Sequence, residues 1–355
     1  MKVAIDATPL TLAVGGLARY TEQLSLALAA TFPGDRYVLL SDQPFPLPTG
    51  APPNLQRGKG PGHPWERRWW LWGLERAMAR HGIELFHGTH FEAPLLPRRP
   101  AVVTIHDLSP WLDAAWQPDA ARVRRRAPLV LGLRLSTMVI TPTETVRRQV
   151  LERFRLPAAR VVAVPLAAAD CFRPQPGAPS PVPYFLCVGA LEPRKNLATA
   201  LAAWRELRSD FAVELALVGK PRPDFPVPGP EPGLRLLGPL PDTELARLYR
   251  DAVALLYPSL YEGFGLPVLE AMQCGTPVLA SRDPAVAEVA GGAALLLDPQ
   301  DVRSWKEAMH ALLLRPELAS EWKQKGLARA AEFSWRRTAE LTRAVYVEAC
   351  RRFPE

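Results

Sequence analysis

Short apolar runs recur along this chain, and between them the apolar positions switch to helical spacing. "KVAID", "RYVLLS", "IELFHG", "AVVTIHD", "MVITPT" and "RVVAVPL" read as strands of a parallel sheet buried on both faces. Amphipathic stretches at 17–30, 65–80, 119–136 and 143–153 lie between them and predict helices. The Pro-rich segment "AAADCFRPQPGAPSPVPY" then breaks the pattern and reads as an interdomain linker. After it the alternation restarts with "YFLCVG", "FAVELALVG", "LRLLG", "AVALLYPS", "TPVLAS" and "AALLLD", followed by helical patterns near 300–314, 316–331 and 335–352. Two successive β-α-β series predict two doubly wound α/β domains, with ligands at the carboxyl ends of the strands. Two such sheets facing each other would leave a cleft between them. The expected division is 1–170, then 171–334, with a terminal helix over 335–355 packing back on the first domain.

A length of 355 residues suits two domains of about 150 to 180 residues each. The 39 prolines cluster at 43–64, 174–183 and 221–232, which marks those segments as connectors. No window of 18 uninterrupted apolar residues is present, so no membrane-spanning helix is expected. "MKVAIDATPL" reads as a strand, not a signal peptide. The four cysteines are scattered without a C-x-x-C pair, which argues against a disulfide framework and for a reducing cytoplasm. There is no D-x-D and no histidine spacing typical of a metal site. A net charge of +7 suits an anionic substrate or membrane surface. Nucleic acid is disfavoured, because no Lys/Arg tract with interleaved aromatics accompanies that charge.

Four loops at strand ends carry candidate chemistry. After "AVALLYPS", Glu262 and Glu270 bracket a glycine turn, with Gly263 and Gly265 allowing close approach of backbone to a ligand. The amides of Leu266, Val268 and Leu269 would open a helix there and favour a phosphate. Carboxylates on either side of an anion site suit a ligand with hydroxyls flanking a phosphate, as in a nucleotide-sugar. A surface βα loop with solvated glutamates is the simpler alternative. After "YFLCVG", Arg194 and Lys195 stand at a helix start, where cations are tolerable if an anion shares the site. An isolated surface pair is the alternative there. After "KVAID", Gly15 and Gly16 precede a helix but do not form G-x-G-x-x-G. After "AVVTI", His106 could donate to a sugar hydroxyl with Asp107 orienting it, or the two could simply cap the strand end. His87 and His90 end the neighbouring strand and could line an acceptor.

Together, "GGLARY", "HDL", "VGALEPRKN" and "PSLYEGFGLPVLEAMQCGTPVLAS", with "EVAGGAALLLDP" and "FSW", resemble the GT-B-fold retaining glycosyltransferases of family 4 over nearly the whole chain. Glu262 to Glu270 matches the Glu-x7-Glu motif of that family. "HGTHFEAPLL" and "VVTIHDLSP" are most similar to bacterial mannosyltransferases of surface polysaccharide synthesis. The resemblance implies that Glu262 meets the donor sugar and Glu270 the ribose. It implies that Arg194 and Lys195 hold the diphosphate, helped by amides near Gly16, Val268 and Leu269. His106 would bind the transferred sugar, and the backbone from Gly238 to Leu240 would meet the base. GDP-mannose is the implied donor, a saccharide or lipid-linked molecule the acceptor, with no metal and no further cofactor. A departure is "PLAAAD", which keeps only Asp170 of the Asn-Gly-hydrophobic-Asp run common in the family. Arginines mixed with leucines over 121–135 and tryptophans over 65–72 suit a peripheral contact with an anionic membrane, or an ordinary solvated helix and core. A nucleotide-sugar epimerase and a catalytically silent binder remain as alternative functions.

Overall fold

The computed structural model describes residues 1–12, 15–175 and 180–353. The chain forms two compact units, Met1–Leu166 together with Ser334–Glu355, and Ala167–Phe333. The first unit holds β1 (Lys2–Asp6), β2 (Arg36–Leu40), β3 (Leu55–Arg57), β4 (Leu85–Gly88), β5 (Ala101–Thr104), β6 (Met138–Thr141) and β7 (Val161–Ala163). All pair in parallel in the order β3-β2-β1-β4-β5-β6-β7. Ile5, Phe86, Val103 and Val139 are inaccessible to solvent, as expected for strands covered on both faces. β3 lies inside the Pro-rich stretch read as a connector. Three residues carry no period to detect. What fixes the strand is Asn54, whose Nδ2 donates to the carbonyls of Ala29, Phe32 and Asp35.

The helix expected over 65–80 is broken. A 3-10 turn spans Pro64–Arg67, a π turn Trp69–Gly73, and an α-helix Leu74–His81. Any Cβ at Gly73 would sit 2.0 Å from the Glu66 carbonyl, so this crossing requires glycine. Trp69 is core, whereas Trp65 and Trp72 are exposed.

The second unit holds β8 (Tyr184–Val188), β9 (Glu214–Val218), β10 (Leu234–Gly238), β11 (Ala254–Tyr257), β12 (Val278–Ser281) and β13 (Leu295–Leu297). Their order is β10-β9-β8-β11-β12-β13, again parallel. Trp204, Trp305, Phe185 and Leu215 fill its core. The supposed linker is not all linker. Phe172 is fully buried against Tyr249, and Gln273 Nε2 donates to the Ala169 carbonyl at 3.1 Å. Apolar side chains in "AAADCF" therefore pack into the second unit, while 176–179 of the same stretch lie outside the described residues. No helix among the described residues is long and apolar enough to cross a membrane.

The helix Trp335–Arg352 docks on the first sheet through residues spaced three or four apart, among them Thr338, Thr342, Val345, Tyr346 and Ala349. Its polar anchors are specific. Tyr346 Oη lies 2.7 Å from His87 Nδ1, Thr338 Oγ1 donates to the Pro165 carbonyl at 2.7 Å, and Arg343 Nε meets Asp35 at 2.6 Å. Burial raises the Asp35 carboxyl, but Arg343 and its other donors outweigh burial and hold it below the ordinary range. A depressed carboxylate contributes stability that is present above its unfolded pKa of about 3.9 and lost as pH falls through the lower folded value. Arg343→Ala is therefore expected to cost about 1–2 kcal/mol near pH 7, between exposed and fully buried pairs. The gap in Tm to the parent should close in acid. A gap that does not change with pH would contradict the pairing.

Candidate active site

β8 and β11 are neighbours at the centre of the second sheet, so the loops after them emerge side by side. After β8 the chain turns at Gly189, where φ is +145° and a Cβ would press within 3.2 Å of Lys195 Cε. A 3-10 turn, Pro193–Lys195, leads to Asn196, which takes φ +50° before the helix Leu197–Leu207. Asparagine tolerates this left-handed region better than most residues. Here its Nδ2 also donates to the carbonyls of Pro258 at 3.1 Å and Pro299 at 2.6 Å. Leu260 N donates to the Arg194 carbonyl at 2.8 Å, which ties the two loops together directly. The Pro-rich loop after β9 joins in, because Arg222 N donates to the Leu191 carbonyl at 3.1 Å.

These loops bring Arg194, Lys195 and Glu262 together. Glu262 Oε2 accepts from Arg194 at 2.8 Å and Oε1 from Lys195 Nζ at 2.6 Å. Arg194 also donates to Glu192 Oε1 and to the Tyr261 carbonyl, each at 2.8 Å. Lys195 Nζ reaches Tyr257 Oη at 3.1 Å. Arg194 is 8% exposed and Glu262 6%, so the surface-charge alternative does not describe them. Burial raises the Glu262 carboxyl, but Arg194 and then Lys195 outweigh it and hold it at about 2. Burial pulls the Lys195 ammonium below its ordinary range, and Glu262 opposes that shift. Two cations and two carboxylates thus share one desolvated site, balanced in charge. A void of about 10 Å³, room for about one water, lies beside Gly189, Lys195, Tyr257 and Ser259. Such cations, fixed at strand ends in low dielectric, can stabilise negative charge on a departing phosphate.

The rest of the glycine loop differs from expectation. Val268 N and Leu269 N both donate to the Gly265 carbonyl, at 2.9 and 3.4 Å, and are not free for a phosphate. Gly265 sits at φ +91°, and that left-handed turn folds its carbonyl back over the helix Leu266–Cys274. The Leu266 amide, as expected, meets no acceptor among the described residues, and neither do those of Phe264 and Gly265, so the available donors lie at the turn. Glu270 does not flank the ion cluster at the surface. It has no solvent exposure, and Tyr249 Oη donates to its Oε2 at 2.9 Å. One helical turn from Leu266 carries it against the helix Asp242–Asp251.

Gly238 ends β10 at φ +64°, and its carbonyl accepts from Gly219 N at 2.9 Å. Leu240 lines a groove of about 580 Å³ with Tyr184, Arg235 and Arg247. The sequence reading missed Glu192, Asn196, Tyr257 and Asp283. Asp283 caps the helix Pro284–Ala290, and burial, with the Glu262 charge adding to it, pushes its carboxyl up to about 6 against the Val286 amide. The repeated hydrogen-bonding types in "LEPRKN" were the available signal for the first two.

In the first unit, Gly15 (φ +134°) is the N-cap of the helix Gly16–Thr31, and open space surrounds both glycines. His106 is half-buried, edge-on to the Tyr20 ring at 4.6 Å. Its Nε2 lies 2.9 Å from the Thr89 carbonyl, which can only accept, so Nε2 carries the proton. Burial depresses the ring's pKa, so the ring is neutral and Nδ1 is an acceptor. His106 therefore presents Nδ1 as an acceptor, where the sequence suggested a donor. Asp107 does not orient it by a hydrogen bond. Its Oδ1 takes the amide and hydroxyl of Ser109 at 2.8 and 2.6 Å, the capping role. His87 lines no surface. It is fully buried between Tyr346 and Thr104, and burial drives its pKa to about 3. Nearby, Asp6 at the end of β1 is pushed up to about 7 by burial, against two bonds from Thr8.

A model described as "Glycosyl transferases group 1" matches residues 170–329, and one described as "Glycosyltransferase Family 4" matches 14–168. The chain is 32% identical over 308 residues to O-antigen chain mannosyltransferase B of Escherichia coli, covering 80% of this chain and 77% of that protein. The chain belongs to glycosyltransferase family 4. This glycosyltransferase also superposes on sucrose-phosphate synthase from Thermosynechococcus elongatus with a TM-score of 0.79 at 22% identity, covering 98% of both chains. Anabaena Alr3699/HepE in complex with UDP-glucose gives 0.73 at 16% identity, over 98% of this chain and all (100%) of that one. Those likenesses show the GT-B fold. For this family 4 chain, nitrogen-detected NMR should report the Nε2–H tautomer at His106, titrating below the ordinary value of about 6.5. An Nδ1–H tautomer would contradict the acceptor role.

Proposed function

We propose that this glycosyltransferase moves mannose from GDP-mannose to a saccharide or lipid-linked acceptor, with retention of anomeric configuration and without a resident metal. The observation that carries the reading is the buried pairing of Arg194 and Lys195 with Glu262 at adjoining strand ends. On transfer a nucleotide-sugar releases its nucleoside diphosphate, and two fixed cations, with the unbonded amides of Phe264 to Leu266 in the loop that carries Glu262, are suited to it. Mannose rests on the 32% identical relative, whose name is that of a mannosyltransferase. A UDP-hexose is the second reading, favoured by the UDP-glucose complex of HepE, whose likeness extends to fold alone.

A double displacement needs a carboxylate free to attack the sugar. Both oxygens of Glu262 are committed to cations, which favours a front-face route. In that route the bond from the anomeric carbon to the diphosphate oxygen breaks as the bond to the acceptor oxygen forms. The acceptor's proton passes to the departing phosphate. His106 accepts from a hydroxyl of the transferred sugar. Glu270 meets the ribose once the Tyr249 hydroxyl yields its place on the carboxylate, and the backbone from Gly238 to Leu240 meets the base. The lipid-linked acceptor and a cytoplasmic membrane face are supported by the helix Ala121–Gly132. There Arg122 and Arg125 are exposed, as are Leu129 and, just beyond, Leu133.

A thermal-shift panel of GDP, UDP, ADP and dTDP with their hexose conjugates, in EDTA, tests the donor. Stabilisation by GDP and GDP-mannose is expected. A shift with UDP alone transfers the assignment to a UDP-hexose, and no shift with any supports a silent scaffold. Lys195→Ala is expected to cut kcat/KM by about 100-fold or more, the usual loss for an electrostatic stabiliser. A change below about twofold would remove Lys195 from the leaving-group site.

A further inference from the structure

Tyr257 is the last residue of β11 and is almost wholly buried, in a strand whose other members, Ala254, Leu255 and Leu256, are purely apolar. Phenylalanine would fill the same volume. A buried hydroxyl is costly unless bonded, so its presence here calls for a partner. It has one in Lys195, whose Nζ donates to Tyr257 Oη at 3.1 Å. Lys195 Nζ lies 5.1 Å from the ring centroid, approaching at the hydroxyl end. Gly189 leaves only enough room for the lysine stem to pass.

An ammonium has three N–H donors. Glu262 takes one and Tyr257 a second, so those two bonds set the direction of the third. We infer that Tyr257 is a positioning residue, whose hydroxyl aims the remaining N–H of Lys195 at the diphosphate of the nucleotide-sugar. Glu262 alone would leave the ammonium free to rotate about one contact. With Tyr257 it is held from two sides before the donor arrives. The inference rests on the proposed role of Lys195, and the test separates the two.

Tyr257→Phe keeps the ring and removes the bond. With radiolabelled GDP-mannose, or the donor the nucleotide panel selects, and a lipid extract as acceptor, kcat is expected to fall about 10- to 100-fold, the range for losing a hydrogen bond to a charged group. KM for the donor should change much less, because Arg194 and the backbone amides remain. The basic limb of the pH profile should move to lower pH, since the ammonium has lost an acceptor that favours its charged form. A merely structural hydroxyl would lower Tm and leave kcat and the pH profile unchanged, which overturns the inference. If Lys195→Ala retains activity, the leaving-group assignment itself fails and Tyr257 falls with it. Should Tyr257→Phe not fold, 3-fluorotyrosine at 257 keeps the ring and weakens the phenol oxygen as an acceptor. It should shift the basic limb in the same direction, and no shift would again overturn the inference.

Discussion

Arg194 and Lys195 follow β8, Arg194 buried and Lys195 half-buried, beside the loop after the adjacent β11, and a cation so enclosed is tolerable only beside an anion. Glu262 and Glu192 meet that need. The constraint then propagates outward. Leu260 must bond the Arg194 backbone, Asn196 must adopt a left-handed conformation and reach two carbonyls, and Gly189 must lack a side chain. Each holds the loops after β8 and β11 in the one register that pairs both charges. The cost of desolvating four ionised groups is offset within the site. The result is a charge-balanced cluster whose cations are held in place by the fold.

The first unit solves a different problem with neutral groups. His87, Thr104, Tyr20 and Tyr346 form a buried hydrogen-bonded chain in which the imidazole stays uncharged. That chain fastens the C-terminal helix to the centre of the first sheet and seats Tyr20 against His106. His106 is held neutral and presents an acceptor, which suits binding a hydroxyl rather than neutralising a phosphate. Buried ion pairs thus mark the second unit's strand ends, and a neutral hydrogen-bonded chain the first unit's.

Much of this was legible in the sequence because period and position report burial. Twelve of the strands stand where continuous apolar runs lie, since both faces of each sheet are covered. β3 was not legible, being too short to show a period and fixed by the side chain of Asn54. Arg194, Lys195 and Glu262 were singled out by their types at strand ends. Their pairing was not, because the sequence does not state whether a charged side chain faces solvent or a partner. The amides of Val268 and Leu269 misled for a local reason: the left-handed turn at Gly265 returns its own carbonyl to the helix start. The bond from Tyr249 to Glu270 was not legible either, because one helical turn carries that carboxylate against a helix from another part of the chain. "AAADCF" lay ahead of a run of prolines and shared their reading as a connector, yet its apolar residues are packed against the second unit.

The most direct test of the account is a crystal structure of the chain grown with GDP. The β-phosphate is expected within hydrogen-bonding distance of Lys195 Nζ and the Arg194 guanidinium, at the turn formed by Phe264 to Leu266. A diphosphate bound elsewhere on the chain, with the contacts of Glu262 to Arg194 and Lys195 unchanged, would contradict it.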